Sequence, residues 1–426
     1  MKYFIGALVL VSIAGGLFLF LKETNIVMVS APSPSTLSSA PILETPKIDK
    51  GRLMDIEPQK PLTNPPSHIK AVYLTSWSAG SQKKVDYIID LIKTTELNAV
   101  VVDIKDYSGY VAYDIDLPEV KKYKAKEIRI PRLNALIERL HNEKIYVIGR
   151  ITIFQDPILA EARPDLAIHS RKGGGLWLDH KKLAWIDPDA KEAWDYNIAI
   201  AKDAVKRGFD ELNFDYIRFA SDGNLGDMKF PFWDEKILKE KIINDFFKYL
   251  RESLPDVKIS ADLFGLTTVQ SDDLGIGQLI ENAYAYFDYV SPMVYPSHYA
   301  EGFLNYKNPA KYPYEVVKYS MESAIKRLKS YEYGVMSNEK TTSTIATSMP
   351  VETTPFNTQN SLLKTKLRPW LQDFNLGATY DARMVKAQIR AVYDAASSAP
   401  ELSNGWILWN PSNIYTKEAL EAVATE

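Results

Sequence analysis

An α/β fold of the (β/α)8 TIM-barrel type is predicted for this chain by three observations. From Ile69 onward, short β-branched runs alternate with amphipathic helical stretches, and the alternation repeats eight times. The runs are almost continuously apolar, as strands must be when helices cover both faces of a parallel sheet. No GxGxxG string follows any of them, which removes the doubly wound dinucleotide-binding sheet as the natural rival.

Before the barrel, residues 4–21 (FIGALVLVSIAGGLFLFL) form an uncharged apolar run between Lys2 and Lys22, just long enough to cross a bilayer as a helix. The run exceeds the apolar core of a usual signal peptide, and Pro32 directly follows the small-residue stretch Val29-Ser30-Ala31. Residues 1–22 are therefore read as an N-terminal membrane anchor with the bulk of the chain extracytoplasmic. A cleaved signal segment, leaving a secreted protein, is the rival. Residues 23–67, rich in Pro, Ser and Thr without helical or alternating period, read as a disordered linker.

The strands are expected at 69–76, 98–105, 145–153, 210–218, 258–265, 288–295, 367–374 and 404–410. Helices are expected at 82–95, 131–143, 190–206, 234–253, 275–285, 314–330, 382–397 and from 416, with Asp381 and Thr416 as N-caps. Two connections are long. Residues 106–130 are rich in Tyr, Asp and Lys and follow the second strand; residues 331–362 are mostly Ser, Thr, Asn and Pro and read as a disordered insertion in the barrel domain, 68–426.

Composition closes several functional classes. A formal net charge of −3 gives no basic field for nucleic acid. The absence of cysteine excludes disulfides, thiolate catalysis and Cys-based metal sites, and suits a compartment outside the reducing cytoplasm. Five histidines without HExxH or HxH spacing give no transition-metal site, so no metal or other cofactor is expected.

The chemistry is expected where polar residues interrupt apolar strands near their C-terminal ends, because a barrel enzyme keeps its reacting groups at that face. In GFDELNFDYIRF, residues 208–219, Asp215 and Arg218 sit where burial of a charge needs a partner or a task. Alternation puts Asn213 with Asp215 on one face, and likewise Asp103 with Lys105, Arg150 with Thr152, Ser260 with Asp262, and Ser291 with Tyr295; Gln372 lies on strand seven. If these faces point inward they converge on one pocket. Charges neutralising one another inside the barrel is the alternative for Asp103, Lys105 and Arg150.

Asp215 and Asp262, on neighbouring strands, form the kind of acid pair that glycosidic cleavage requires. One carboxylate acts as nucleophile or base, and the other holds a proton for the leaving oxygen. Asp103 is the reserve acid. Lys105, Arg150, Asn213, Arg218, Tyr295, Gln372 and Trp409 are candidate substrate-binding residues. Arg218, at an odd offset from Asp215, falls off the inward parity and is expected to pair with a loop acid. Trp77, Trp185, Trp370 and Trp409 fall near strand ends, where an aromatic face can floor a sugar, with Trp409 preferred.

The strings IKAVYLTSWSAG, NAVVVDIKDYSG, WIDPDAKEAWDYNIAIAKDAVKRGFDELNFDYIRFASDG, SADLFG, DYVSPMVYPSHY, RPWLQDF and GWILWNPSNIY together resemble the DUF4015 family of bacterial glycoside-hydrolase domains of unknown specificity. The resemblance spans roughly 69–422 and implies a TIM barrel acting on a polysaccharide or oligosaccharide, with Asp215 at the reacting centre. The chain departs from relatives in the 331–362 segment and at Ala220, where they often carry Pro. The expected function is an extracytoplasmic glycoside hydrolase; a non-catalytic glycan-binding barrel and a transglycosylase using the same pocket are the alternatives.

Overall fold

A computed structural model describes residues 54–345 and 365–423. Eight parallel strands close into a barrel: β1 Ile69–Leu74, β2 Ala99–Lys105, β3 Tyr146–Thr152, β4 Glu211–Asp215, β5 Ile259–Phe264, β6 Tyr289–Met293, β7 in two pieces, Lys366–Leu367 and Trp370–Gln372, and β8 Gly405–Trp409. Each strand pairs with its successor, and β8 pairs with β1 through Ile69↔Gly405, so the barrel has no open edge. The break in β7 falls at Arg368-Pro369, where proline removes a ladder donor.

The helices are α1 Gln82–Thr94, α2 Leu133–Asn142, α3 Lys191–Arg207, α4 Lys239–Ser253, α5 Ile280–Tyr284, α6 Pro313–Ile345 and α7 Ala382–Ala396. Their apolar stripes pack on the outward residues of the strands, such as Val100, Val102, Val147 and Leu212, in one continuous core. Asp381 caps α7 by accepting from the Met384 N–H at 3.0 Å, as expected. Among the described residues after β8 there is only a 3-10 turn, Lys417–Ala419, and Thr416 instead gives its hydroxyl to Asp373 Oδ1 at 2.6 Å. Inside the barrel a smaller cluster, Ile69, Ala71, Ala99, Val101, Ile148 and Ile407, fills the lower part.

Two expectations about the segments outside the strands change, and one is untested. The anchor at 1–22 and the linker to residue 53 lie outside the described residues, and no described helix is long and apolar enough to cross a membrane. Residues 54–67, expected to belong to a disordered linker, form an irregular strap fixed beneath the barrel. Asp55 accepts from the free backbone N–H groups of Asn134 and Ala135 at the start of α2, at 2.6 and 3.1 Å. Leu62 donates its N–H to Asp210 at 2.6 Å and packs under the inner cluster.

The strap explains a glycine. Gly208 ends α3 at φ 98°, and a Cβ there would stand 2.5 Å from the Gln59 carbonyl oxygen. Prolines keep these residues out of regular structure, yet hydrogen bonds to the barrel order them. The helix α6 runs to Ile345, into the segment read as an insertion; residues 346–364 lie outside the described residues. The long connection after β2 is a small structured unit, with strands at Val111–Tyr113 and Lys126–Ile130 around a short helix.

Candidate active site

The strands bring six of the predicted polar residues into one hydrogen-bonded network toward the C-terminal mouth of the barrel. Arg150, rising from β3, is its centre. Its Nη1 meets Asp103 Oδ1 from β2 at 2.6 Å, its Nη2 binds Asp215 Oδ2 at the end of β4, and its Nε lies 3.5 Å from Asp262 Oδ2 on β5. Parallel pairing puts Asp103 and Asn213 level with Arg150, and Asp215 one inward layer higher, opposite Thr152, where the long Arg150 side chain reaches it. Asn213 donates to Asp262 Oδ1 at 2.8 Å and to Ser260 Oγ at 3.0 Å.

The two central carboxyl groups have different surroundings. Asp215, 6% exposed, accepts on both oxygens, from Arg150 and from the Tyr216 N–H at 2.5 Å. Asp262 is only 1% exposed. Its Oδ1 accepts both of its hydrogen bonds, from Asn213 and from the Trp370 indole N–H at 2.6 Å, so Oδ2, which faces Arg150 Nε at 3.5 Å without a hydrogen bond, is the oxygen that would carry a proton. Burial first, and the charge of Asp215 second, push Asp262 up to about 8, against the opposing pull of Arg150 and the two donors. Burial also raises Asp103, although Arg150 and the Tyr73 hydroxyl hold it. The three acids in turn hold Arg150 well above its ordinary range, despite its burial.

Opposite the acids stands an aromatic wall. Tyr295 stacks on Trp409 at 5.4 Å between centroids and 30° between planes, and Phe374 meets Trp409 edge-on at 4.8 Å. Tyr73 completes it beside Trp409 and Trp370. Trp77 is 62% exposed on the rim, with the Arg129 guanidinium 5.0 Å from its ring centre. Trp185 and Trp370 are buried and offer no platform; Trp370 instead orients Asp262.

Lys105 and Gln372 do not join the site. The register shifts between Asp103 and Lys105, which breaks the alternation and turns Lys105 away from the lumen. Its Nζ is buried against Asp156 Oδ2 at 2.8 Å and the Thr152 carbonyl at 2.7 Å. Lys105→Met should therefore cost stability, about 3 kcal/mol in urea unfolding, by leaving Asp156 buried without its cation. Substrate KM should not move; a raised KM with unchanged stability would contradict this placement. Gln372 braces the loops around it, accepting from the Ser297 N–H at 3.2 Å and donating to the Phe374 carbonyl at 2.9 Å.

Arg218 also differs from expectation. β4 ends at Asp215, earlier than predicted, because Tyr216 takes a left-handed backbone conformation at φ 52°. The turn resets the alternation and lays Arg218 over the Phe264 ring. No carboxylate among the described residues lies within ion-pair distance of it.

Sequence reading missed Tyr73, the acid-orienting role of Trp370, and a lower layer in which Glu211 binds Arg368 and accepts from Ser260 Oγ at 2.6 Å. Tyr73 and Glu211 lie at inward parity on β1 and β4, so the alternation used for the other strands would have found both. Among the described residues no group of His, Asp or Glu is arranged to hold a metal ion.

Several solved structures resemble this chain. A hypothetical protein from Ruminiclostridium thermocellum ATCC 27405 is 41% identical over 48% of this chain and 98% of its own, with a TM-score of 0.42. The glycoside hydrolase domain of PgaB (BpsB) from Bordetella bronchiseptica is 14% identical over 84% of this chain and 99% of its own, with a TM-score of 0.53, a likeness of fold. No curated protein matches the chain. The profile of DUF4015, described as "Putative glycosyl hydrolase domain", matches residues 71–338 and 330–415. With its closed eight-stranded barrel and most of its length matched, the chain belongs to this glycosyl hydrolase domain family.

Proposed function

We propose that the protein is an extracytoplasmic glycoside hydrolase that cleaves glycosidic bonds of a polysaccharide, with Asp215 as nucleophile or base and Asp262 as general acid. The observation that carries this reading is the pair itself. Two carboxyl groups on adjacent strands share one guanidinium, yet one accepts hydrogen bonds on both oxygens while the other is enclosed and raised to about 8.

In this reading Asp262 Oδ2 gives its proton to the glycosidic oxygen as the bond to the anomeric carbon breaks. Asp215 Oδ2 attacks that carbon or takes a proton from the attacking water. Arg150 holds Asp215 and stabilises its charge, Asn213 and Trp370 aim Asp262, and Tyr295 with Trp409 present an apolar face to the sugar ring.

A polysaccharide screen of the full chain, with Asp215→Asn as control, tests the activity. Release of reducing ends by the wild type alone is the expected result. Saturable glycan binding with no product over long incubation would instead support a binding barrel, and transfer to an added sugar acceptor would support a transglycosylase.

Membrane attachment through residues 1–22 is part of the proposal, resting on the uncharged run from Phe4 to Leu21. Protease added to spheroplasts, whose outer layers have been removed, should digest the barrel. Full protection, with digestion only after lysis, would place it in the cytoplasm and overturn the assignment.

A further inference from the structure

Arg218 is a deeply placed cation with no acid in ion-pair contact, and its neighbours show how unusual that is. Arg368, Lys105 and Arg129 are buried and Arg150 is partly buried, and each meets a carboxylate: Arg150 meets Asp103 and Asp215, Arg368 meets Glu211, Lys105 meets Asp156 and Arg129 meets Asp106. Arg218 is 7% exposed and has aromatic rings instead, with centroids at 4.6 Å for Phe264, 4.9 Å for Trp185 and 5.2 Å for Tyr216. Ring faces attract a guanidinium, but they supply no oxygen for its N–H groups.

Only one of its nitrogens is used. Nη1 donates to the Phe219 carbonyl at 2.9 Å and Ser221 Oγ at 3.2 Å, which fixes the plane of the group. Nε and Nη2 have no hydrogen-bond partner among the described residues, and neither is among the fully enclosed polar atoms that lack one. Together they form one edge of the fork, the edge that binds two oxygens of a carboxylate or a sulfate side by side.

The position of this edge follows from the chain path. Tyr216, strained at φ 52°, turns the chain immediately after Asp215, and Phe264 lies two residues beyond Asp262 on the same face of β5. Arg218 therefore stands above the acid pair at the barrel mouth. Desolvation of the guanidinium lowers its pKa, outweighing the opposing charges of Asp215, Asp222 and Asp179, none of which is in ion-pair contact with it.

We infer that Arg218 anchors an acidic substituent, a carboxylate or a sulfate ester, on the glycan, so that the substrate is an anionic polysaccharide. This rests on the glycan-hydrolase reading above. It gives the Asp215 turn a second use, since one strained residue both ends the catalytic strand and aims the anion anchor.

Titration calorimetry of the full chain with glucuronate, glucose 6-sulfate and glucose tests the inference. At least one charged sugar should bind about tenfold more tightly than glucose. A preference for glucuronate would identify a uronic acid, and one for glucose 6-sulfate an ester. Arg218→Gln should abolish the preference without changing glucose binding, and Arg218→Lys should keep part of it, which preserves the test if the glutamine variant folds poorly. Charged sugars binding no better than glucose, or a preference that survives Arg218→Gln, would overturn it. The Asp215→Asn variant should show the same preference. An intact preference with no hydrolysis of any polysaccharide would then count against the hydrolase reading alone, and hydrolysis indifferent to Arg218 against the anion anchor alone.

Discussion

Asparagine in place of Asp215 is expected to lower kcat/KM about ten-thousand-fold on a glycan that the wild type cleaves, because an amide neither attacks an anomeric carbon nor takes a proton from water. The substitution is close to isosteric. Its oxygen can still accept from the Tyr216 N–H, although its NH2 then faces Arg150 Nη2, and Arg150 keeps Asp103 at 2.6 Å. The unfolding midpoint should therefore fall only modestly and glycan binding should persist, which separates a chemical loss from a structural one. Steady-state hydrolysis combined with calorimetric binding and urea unfolding makes the check. Retention of more than a tenth of the wild-type rate by Asp215→Asn would remove Asp215 from the reaction.

The barrel was legible in the sequence because it depends on two repeating signals, the apolar run of a buried parallel strand and the 3.6-residue period of its covering helix. Strand positions came out within a residue or two where nothing broke the alternation. The failures fall where the backbone leaves regular geometry. The shift between Asp103 and Lys105 reversed the facing of Lys105, and the left-handed Tyr216 did the same for Arg218. Period-two counting has no means of anticipating either.

The strap shows a different limit. Residues 54–67 have the composition of a linker, and composition does report that they form no helix or strand. It does not report that Asp55 and Leu62 find partners on α2 and on Asp210, because those hydrogen bonds depend on where the barrel floor lies. The same holds for Trp370. As a residue near a strand end it suits a sugar platform, and only the register of β5 against β6 and β7 gives its indole N–H to Asp262.

The acid assignment has its own signature in pH. Asp262 serves as a proton donor only while protonated, so kcat/KM should fall tenfold per pH unit as the pH rises beyond about 8. Asp262→Asn should remove that limb and cost about a thousandfold on a natural sugar leaving group, which needs the proton. An aryl glycoside whose phenolate leaves unaided should lose far less. Stability should respond to the same group over a lower pH window. The folded protein holds the Asp262 proton up to about 8, whereas the unfolded chain releases it near pH 4. Folding stability from this group is therefore greatest at acid pH, declines as pH rises through that window and is flat above it. Asp262→Asn should abolish this slope, so the variant is no less stable than wild type at neutral pH while being far less active. Equal losses on natural and aryl substrates, with the alkaline limb intact, would transfer the acid role to Asp103, the remaining raised carboxyl group on Arg150.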